Sequence, residues 1–494
     1  MAGRHDTNDR AHTPDDFFLC IYLGTSGVGV VAQTRDGVVV ARGDHEITLR
    51  TPRPGWTEQN PADWLRAAEE AIADVIGAVG GECVVALALS GQMHGLVPLD
   101  DADEVIRPAL LWNDGRTGEE VDEIHRRIGR ARLVERTGNP AVTGFQLPKL
   151  LWLRRHEPEA FARTRLAMLP KDYLGLHLTG RSVAEPCDAS GTGVYHLASG
   201  TWDAELLTDL DLDPGLWPTI VASDDVVGGL RGVVATRLGL RAHTPVFSVP
   251  RDNAAAAFAL GLGSARPSLG SVSLGTSGVV QSPVASPTPD PAGRIHLFAH
   301  ADGTYLLLGV TLAAAGSLRW YRDTFAPGRS YAALVADAAT APVGANGVTY
   351  KPYLAGERTP HLRSDLRGSF HGLSLATSHA DVVRAVLEGV AHSLREAWDV
   401  MEPLAATDRW LATGGGAVSD VWLSILADSL GAPVGRTAEQ IGAAEGAATL
   451  GWLALGHRSE RAARVEAWFE PDPGRAAATT EAYDRYRSLG PSES

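Results

Sequence analysis

Short apolar runs and longer amphipathic segments alternate along both halves of the chain. Residues 83–90 (CVVALALS) and 245–249 (PVFSV) are apolar runs of strand length. Between residues 380 and 401 the apolar side chains recur at helical spacing and mark one face of a helix: Val382, Val383, Val386, Leu387, Val390, Leu394 and Trp398. This alternation predicts α/β layers in each half.

The hexapeptide LGTSGV occurs twice, at residues 23–28 and 274–279. Apolar segments flank each copy, so each predicts a strand, a tight turn and a second strand. The long separation of the copies excludes a solenoid repeat. A turn of Gly, Thr and Ser offers backbone N–H groups and a hydroxyl to a phosphate, although one such turn alone is equally well explained as an ordinary β-turn. Two matching copies favour a pair of turns that bind a polyphosphate.

The length of 494 residues exceeds one ordinary core and predicts two domains with a cleft between them. We expect a disordered leader over 1–15, an N-terminal domain over 16–250, a C-terminal domain over 251–489 and a frayed tail over 490–494. The boundary is placed after Pro250, where an apolar strand ends and a helix rich in small residues begins.

Charge and composition exclude several classes of protein. The net charge of -15 argues against a nucleic-acid-binding groove, and the chain lacks the run of about 20 apolar residues that a membrane helix needs. The polar, acidic start does not resemble a signal peptide. The three cysteines, Cys20, Cys83 and Cys187, lie far apart, which predicts reduced thiols in a cytoplasmic protein and argues against a zinc site.

Two polar segments follow apolar runs and predict a ligand site at the ends of strands. SGQMHG (90–95) and WNDGR (112–116) combine an aromatic plate, an apolar wall and several hydrogen-bonding groups, which suits a polyhydroxylated sugar. The candidate residues are Gln92, Met93, His94, Trp112, Asn113 and Asp114. A single histidine in a loop is more often structural, so the case depends on the whole group.

Two further junctions between a strand and a helix carry candidate chemistry. Asp252 precedes NAAAAFALGLG and is, on local grounds, equally an N-cap or a general base for a sugar hydroxyl. Gly414 to Gly416 join an apolar strand to a helix, which permits close approach of a base or ribose but also fits a tight turn. No GxxxxGK[ST], HExxH or GxSxG motif is present.

Together these stretches resemble the FGGY family of carbohydrate kinases. The matching segments, between about residues 17 and 448, are LGTSGV, SGQMHG, LLWNDGRT, TGFQLPKLLWLRRHEPE, LPKDYL, DASGT, RDNAAAAFALG, SLGTSG, YLAGERTPH and ATGGGAVSDVW. The resemblance implies an α/β, two-domain actin-like (ribonuclease-H-like) sugar kinase fold with an interdomain cleft. Within the family, SGQMHG with WND resembles the pentulose-contacting loop of the xylulokinase subgroup.

The resemblance also implies an activity and a set of site residues. The activity is ATP-dependent phosphorylation of D-xylulose to D-xylulose 5-phosphate in pentose catabolism, with Mg²⁺. Asp252 would be the catalytic base, and the metal ligands stay unassigned. The sugar would contact Gln92, Met93, His94, Trp112, Asn113, Asp114 and Asn253, and the nucleotide would contact Gly24, Thr25, Ser26, Gly275, Thr276, Ser277, Gly414, Gly415 and Gly416.

The chain departs from the family pattern beside the phosphate chemistry. Tyr22 stands where the family usually has an aspartate before its first phosphate turn, Gly29 where a basic residue is common, and Pro250 and Arg251 where glycines precede the catalytic aspartate. A neutral phenol is a poor ligand for a hard cation. Two alternatives therefore stay open: a pseudokinase that binds sugar or nucleotide, and a kinase for another pentulose or polyol.

The expected partners are small molecules, the sugar and ATP. The sequence predicts neither a nucleic-acid partner nor a membrane, since clustered basic residues and long apolar spans are both missing. Relatives of this type are often dimers, so a homodimer is an open expectation.

Overall fold

The structure is a computed structural model that describes residues 16–250, 252–438, 443–457 and 463–490, with the backbone alone at residues 252 and 443. The strands of the first half are β1 (Phe17–Leu23), β2 (Gly27–Thr34), β3 (Val39–Glu46), β4 (Glu58–Gln59), β5 (Val84–Gly91), β6 (Val97–Leu99), β7 (Ala109–Leu110), β8 (Leu166–Met168), β9 (Val183–Ala184), β10 (Tyr195–His196), β11 (Thr201–Trp202), β12 (Thr219–Ile220), β13 (Val226–Gly229) and β14 (Pro245–Ser248). Those of the second half are β15 (Leu269–Leu274), β16 (Gly278–Val284), β17 (His296–Ala299), β18 (Tyr305–Thr311), β19 (Thr349–Lys351), β20 (Ser369–His371), β21 (Arg409–Thr413), β22 (Val434–Thr437) and β23 (Val465–Phe469).

Helices cover both sheets. The helices of the first half are α1 (Pro61–Val79), α2 (Gly118–Ile128), α3 (Arg130–Thr137), α4 (Gln146–His156), α5 (Pro158–Arg163), α6 (Pro170–Thr179), α7 (Pro186–Ala189), α8 (Ala204–Asp209) and α9 (Gly232–Leu238). Those of the second half are α10 (Asp252–Leu260), α11 (Ala315–Phe325), α12 (Tyr331–Thr340), α13 (His379–Met401), α14 (Asp420–Leu430), α15 (Ala443–Ala454) and α16 (Ala476–Ser488).

The two halves have the same central topology. Within the described residues, one sheet has the strand order β13-β14-β5-β1-β2-β3 and the other has the order β17-β18-β16-β15-β21-β22-β23. In each sheet an antiparallel hairpin carries LGTSGV at its turn, and two strands lie parallel to the first strand of that hairpin. The duplication seen in the sequence is therefore a duplication of the fold, and the predicted α/β layers are confirmed.

The predicted helix over 380–401 is confirmed as α13, and its start has a local cause. Ser378 caps it, because the Ser378 hydroxyl accepts the N–H of Asp381 at 3.2 Å and the Asp381 carboxylate accepts the N–H of Ser378 at 2.8 Å. Val383, Val386 and Leu394 on its apolar face are fully buried in the core of the second half. Burial of this face fixes the helix against its sheet.

Helices α10 and α15 pack against each other next to the first sheet. Phe18, Ala255, Ala448 and Trp452 belong to one buried cluster, so residues from both ends of the chain share a core. At Gly446 a side-chain Cβ would lie 2.0 Å from the carbonyl oxygen of Ala255, so this close helix crossing requires glycine. The chain thus returns to the first sheet after completing most of the second, while the predicted boundary at residue 250 stays a prediction.

The structure also bears on membrane insertion and on the state of the cysteines. Across the ranges that the structure describes, no helix combines the length and apolar content needed to cross a bilayer. None of the three cysteines forms a disulfide, and Cys20 and Cys187 are buried.

Candidate active site

A cavity of about 300 Å³, here named the cleft cavity, is lined by residues of both halves. Its wall contains both of the loops that the sequence marked as sugar-binding and part of the second LGTSGV turn. The lining residues are Tyr22, Thr25, Gln92, Met93, His94, Trp112, Val142, Gly144, Phe145, Asn253, Ser277, Val279, His296, Phe298, Leu308, Val310, Arg358 and Leu362. Five predicted sugar residues therefore lie together: Gln92, Met93, His94, Trp112 and Asn253.

A network of amides connects Gln92 with the first LGTSGV turn. Gln59 donates from Nε2 to the Thr25 carbonyl at 2.7 Å and accepts from Gln92 Nε2 at 3.2 Å. Trp112 Nε1 donates to the Thr25 hydroxyl at 2.9 Å. Gln59 is fully buried and was missed by sequence reasoning, because its role depends on partners 34 and 33 residues away. The network holds Thr25, Gln92 and Trp112 in one rigid wall.

His94 has a constrained position in the same wall. Its backbone φ is +67°, and its Nδ1 lies 2.6 Å from the carbonyl oxygen of Gly191. Because a carbonyl only accepts, Nδ1 carries a proton, and the contact orients the ring. The ring also stacks on Phe145 with 4.5 Å between centroids. His94 is therefore an oriented hydrogen-bonding group on an aromatic wall.

Lys149 supports this wall from behind and was not singled out in the sequence. Its ammonium is buried and donates to the carbonyl oxygens of Phe145 at 2.9 Å, of His94 at 3.4 Å and of Gly144. Burial lowers the pKa of Lys149 to about 7. The signal in the sequence is a lysine inside an otherwise apolar helical run, QLPKLLWL, in α4. Lys149 ties the loop of His94 to that of Phe145.

Asn113 and Asp114 lie outside the lining of the cleft cavity. Asp114 is buried in a two-point ion pair with Arg116, at 2.9 and 2.7 Å, and accepts the N–H of Thr57 at 2.6 Å. Asn113 Oδ1 accepts the Thr57 hydroxyl at 2.8 Å. These contacts brace the loop that carries Trp112. The assignment of Asn113 and Asp114 to the sugar stays a prediction.

The predicted base, Asp252, begins helix α10, and its side chain and Arg251 lie outside the described residues. The segment before it is anchored on both sides. Ser90 donates its hydroxyl to the Pro250 carbonyl at 2.7 Å, and Lys171 Nζ lies 3.2 Å from the Ser248 hydroxyl. The next residue, Asn253, lines the cleft cavity. The backbone at residue 252 is thus held beside the predicted sugar residues.

A buried charged cluster stands behind that segment. Lys171 lies 2.7 Å from Asp172 and 3.8 Å from Asp188, and all three are almost fully buried. Although burial acts against the ammonium, the neighbouring carboxylates raise the pKa of Lys171 above its ordinary value. Burial raises the pKa of Asp172. The cluster explains why LPKDYL and DASGT lie near the strand end that leads to Asp252.

A second cavity of about 650 Å³, here named the glycine-loop cavity, lies in the second half. Of the predicted nucleotide residues, Gly275, Thr276, Gly415 and Gly416 line it. The remaining wall is mostly apolar: Leu274, Ala315, Gly316, Leu318, Arg319, Tyr331, Ala332, Val335, Ala336, Val418, Ser419, Asp420, Val421 and Trp422. An open, largely apolar cavity beside a Gly/Thr/Ser turn suits a flat base with an attached phosphate chain.

Gly414 has a different role from its two neighbours. Its φ is +84°, and a Cβ there would lie 2.8 Å from the backbone of Leu274. It packs against the second LGTSGV turn and does not line the glycine-loop cavity. The helix that follows, α14, begins after Ser419, whose hydroxyl accepts the N–H of Trp422 at 3.2 Å.

The second turn borders both cavities. Gly275 and Thr276 line the glycine-loop cavity, whereas Ser277 lines the cleft cavity. The first turn contributes Thr25 to the cleft cavity, while Gly24 and Ser26 line neither cavity. A phosphate chain held at the second turn would therefore extend from one cavity toward the other. This arrangement has the form needed for transfer of a phosphoryl group between two bound molecules.

Tyr22 lines the cleft cavity and lies directly opposite Gly29 on the neighbouring strand. Two of the departures from the family pattern are therefore cross-strand partners. Across the described portion of the chain, no three or more His, Cys, Asp or Glu side chains form a group that could hold a metal ion. Any cation of the reaction would therefore need oxygen ligands from ATP or water in addition to side chains of the protein.

Comparison with known proteins decides the family. Residues 17–259 match the N-terminal domain of the FGGY family of carbohydrate kinases, and residues 270–455 match its C-terminal domain. The chain belongs to the FGGY family of carbohydrate kinases. The fold, the kinase class and the resemblance drawn from the motifs are confirmed, and a kinase of this family uses ATP as its phosphoryl donor.

Relatives of this FGGY kinase include proteins named xylulose kinase. The xylulose kinase of Bacillus subtilis (strain 168) is 36% identical over 483 residues, which cover 96% of each chain. The crystal structure of a xyloylose kinase from Brucella ovis is 35% identical with a TM-score of 0.89, covering 96% of this chain and 99% of that one. The xylulose kinase from Rhodospirillum rubrum is 31% identical with a TM-score of 0.87, covering 95% and 97%.

Proposed function

We propose that this FGGY kinase transfers the γ-phosphoryl group of ATP to a terminal hydroxyl of D-xylulose and so forms D-xylulose 5-phosphate. The observation that carries the proposal is the composition of the cleft cavity, where Gln92, His94 and Trp112 meet Ser277 of the second turn. Full-length relatives that are named xylulose kinase support the choice of sugar.

The sugar would lie in the cleft cavity against the ring of Trp112. Gln92 and His94 would donate and accept hydrogen bonds with its hydroxyls, and the Gln59 network would hold these groups in place without further loss of entropy. Met93 and Phe145 would cover the apolar faces of the carbon chain. Such a wall orients one end of a pentulose toward the second turn.

The nucleotide would lie in the glycine-loop cavity with its phosphates at Gly275 and Thr276. In the transfer, the attacking sugar oxygen forms a bond to the γ-phosphorus, the bond to the β-phosphate oxygen breaks, and ADP leaves. Asp252 accepts the proton of the sugar hydroxyl. When bound with ATP, Mg²⁺ would supply positive charge to the phosphate oxygens.

The test is an ADP-release assay with ATP, magnesium and a panel of pentuloses and polyols. We expect turnover with D-xylulose well above the rate without sugar and above the rates with the other sugars. Turnover that is faster with another pentulose or polyol would contradict the choice of D-xylulose. The homodimer stays a prediction. A measurement of the molar mass of the protein in solution would test it.

A second candidate, a pseudokinase of the same fold, is favoured by one observation. Tyr22 lines the cleft cavity at the position where the family usually has a carboxylate. Under this alternative, calorimetry would detect D-xylulose or ATP binding while the assay detects no ADP release above background. Turnover on any sugar of the panel would contradict it.

A further inference from the structure

Arg358 belongs to the cleft cavity, although the sequence motifs assigned it no role. It lies in the segment GERTPH that follows β19, and its side chain is exposed toward the cavity. Among the residues lining that cavity in the described part of the chain, it is the only lysine or arginine. The position that is commonly basic in the family, after the first turn, is Gly29 in this chain. Arg358 is therefore the permanent cation of this wall.

Strand register brings Arg358 close to the second LGTSGV turn. Its neighbour Thr359 donates its N–H to the Val310 carbonyl at 2.9 Å and accepts the Val310 N–H on its hydroxyl at 3.0 Å. Val310 pairs with Val279, two residues after Ser277. Since paired strands lie about 4.8 Å apart, the backbone of Arg358 is held beside the end of the turn that faces the cleft cavity.

Glu357 holds the backbone of this segment and leaves the guanidinium available. Its Oε1 accepts the N–H of Leu312 at 2.9 Å and that of Arg358 at 2.7 Å, and its Oε2 lies 3.4 Å from the Ser393 hydroxyl. Within the described chain, the guanidinium of Arg358 forms no hydrogen bond or ion pair. A rigid backbone with an uncommitted guanidinium at a cavity wall is suited to a ligand with anionic oxygens.

We propose that Arg358 binds the phosphoryl group during its passage from the second turn to the sugar and neutralises its negative charge. The inference rests on the proposed function, because it assigns a residue to that transfer. The overall charge of -15 repels an anionic ligand, so a local cation is needed where the transferred oxygens are placed. Arg358 would then also hold the phosphate of the sugar product.

The test compares Arg358→Gln and Arg358→Lys with the parent. Arg367→Gln is the control, because Arg367 is exposed in the same segment, donates to the carbonyl oxygens of Ser364 and Leu366, and does not line the cleft cavity. We expect Arg358→Gln to lower kcat about 10²- to 10³-fold, and Arg358→Lys to recover part of the loss. Thermal unfolding should show the same midpoint for all variants.

Calorimetry with two ligands separates a phosphate contact from a sugar contact. We expect Arg358→Gln to weaken D-xylulose 5-phosphate binding about tenfold or more and to change D-xylulose binding less than about threefold. Equal weakening of both ligands would overturn the proposal in favour of sugar recognition. Unchanged binding of both, with unchanged kcat, would assign Arg358 a merely structural role.

Failure of the proposed function has a different outcome. If the parent releases no ADP with D-xylulose, the proposed function is contradicted. If D-xylulose 5-phosphate still binds to the parent and binds more weakly to Arg358→Gln, the inference about Arg358 is retained. If the parent binds neither ligand, ADP is compared with ADP plus orthovanadate as the anionic probe. The inference is supported if orthovanadate no longer increases the affinity for ADP in Arg358→Gln but still does so in Arg367→Gln. If orthovanadate still increases the ADP affinity of Arg358→Gln, the inference is overturned.

Discussion

The two copies of LGTSGV have the same six residues but close their hairpins in different registers. In the first copy Leu23 pairs with Val28, so residues 24–27 form the loop. In the second copy Leu274 pairs with Gly278, so residues 275–277 form the loop. A shift of one residue changes the face on which the following side chains lie. Identical sequences therefore present different groups to the cleft.

The neighbours of the two turns differ as well. The first turn is held by two side chains, Gln59 and Trp112 on Thr25, and by the backbone N–H of Ile47 on the Ser26 carbonyl at 3.0 Å. The second turn is held by backbone, because the carbonyls of Gly275 and Thr276 accept the N–H groups of Ala315 at 2.7 Å and Ala314 at 2.9 Å, where α11 begins. From this comparison we expect the first turn to support the sugar wall and the second turn to present the nucleotide phosphates.

The largest expected effect lies between the two turns, at Asp252. Asp252→Asn preserves shape and capping ability but removes the base, and should lower kcat about 10²- to 10⁴-fold with little change in unfolding midpoint. Steady-state kinetics with D-xylulose and a thermal melt check both parts. Unchanged turnover in the folded variant would reduce Asp252 to a helix cap.

Matched substitutions of the two threonines test the division of labour directly. Thr25→Val removes the acceptor of Trp112 Nε1 and should raise KM for D-xylulose about tenfold, while Thr276→Val should raise KM for ATP by a similar factor. The control is Thr288→Val, because Thr288 is exposed and lines neither cavity. If both threonine variants raised the same KM, the two turns would share one role.

The aspartate and the basic residue that the family usually has at positions 22 and 29 can be restored on the first hairpin. We expect the first turn then to contribute to phosphate and magnesium binding, as the second turn is proposed to do for phosphate. Tyr22 and Gly29 lie opposite each other, so Tyr22→Asp with Gly29→Lys places an acid and a base on paired strands. We expect kcat to rise about tenfold or less and to depend more steeply on magnesium, since a carboxylate can orient hydrated Mg²⁺ and a phenol with an ordinary pKa of about 10 cannot.

The measurement for this pair is kcat at several magnesium concentrations for the parent, both single variants and the double variant. A Cβ at residue 29 would lie 2.8 Å from Asp44 Oδ1, closer than van der Waals contact, so Gly29→Lys requires the exposed Asp44 side chain to move. Lower activity in Tyr22→Asp would show that Tyr22 belongs to a rearranged site. No gain in any variant, with nucleotide still bound, would favour the pseudokinase.

The smallest expected effect concerns pH. The first turn is supported by neutral amides, but the segment beside the second turn is held by Glu357, and burial raises the pKa of Glu357 to about 7. The folded state then holds a proton that the unfolded state loses near pH 4.5, so this group lowers stability as pH rises from about 4.5 to 7.

Glu357→Gln removes that titration while keeping an acceptor for the N–H of Leu312. The unfolding free energy of the variant relative to the parent should therefore rise by about 1–3 kcal/mol between pH 5 and 7 and stay level above pH 8. Thermal or urea unfolding across this range is the measurement. The control is Glu481→Gln, because Glu481 on α16 is exposed to solvent. A difference that does not change with pH would contradict the assignment.

Local sequence patterns determined many of the secondary-structure elements of this protein and its family. Two strand–turn–strand units, the apolar strands 83–90 and 245–249, and helix α13 with its Ser378 cap follow from hydrophobic period and capping chemistry, which act over a few residues. The family also follows from contiguous motifs. The two sugar loops could be predicted to lie near one another because both follow apolar runs.

Tertiary structure alone decided which groups meet in the cleft. Gln59 and Arg358 carry no local signal of a shared site. Asn113 and Asp114 belong to WNDGR, but they contact Thr57 and lie outside the lining of the cleft cavity. The register of each LGTSGV hairpin depends on strands and side chains far away in sequence. The physical reason is that backbone propensity acts locally, whereas the position of a side chain is set by cross-strand pairing and burial against distant residues.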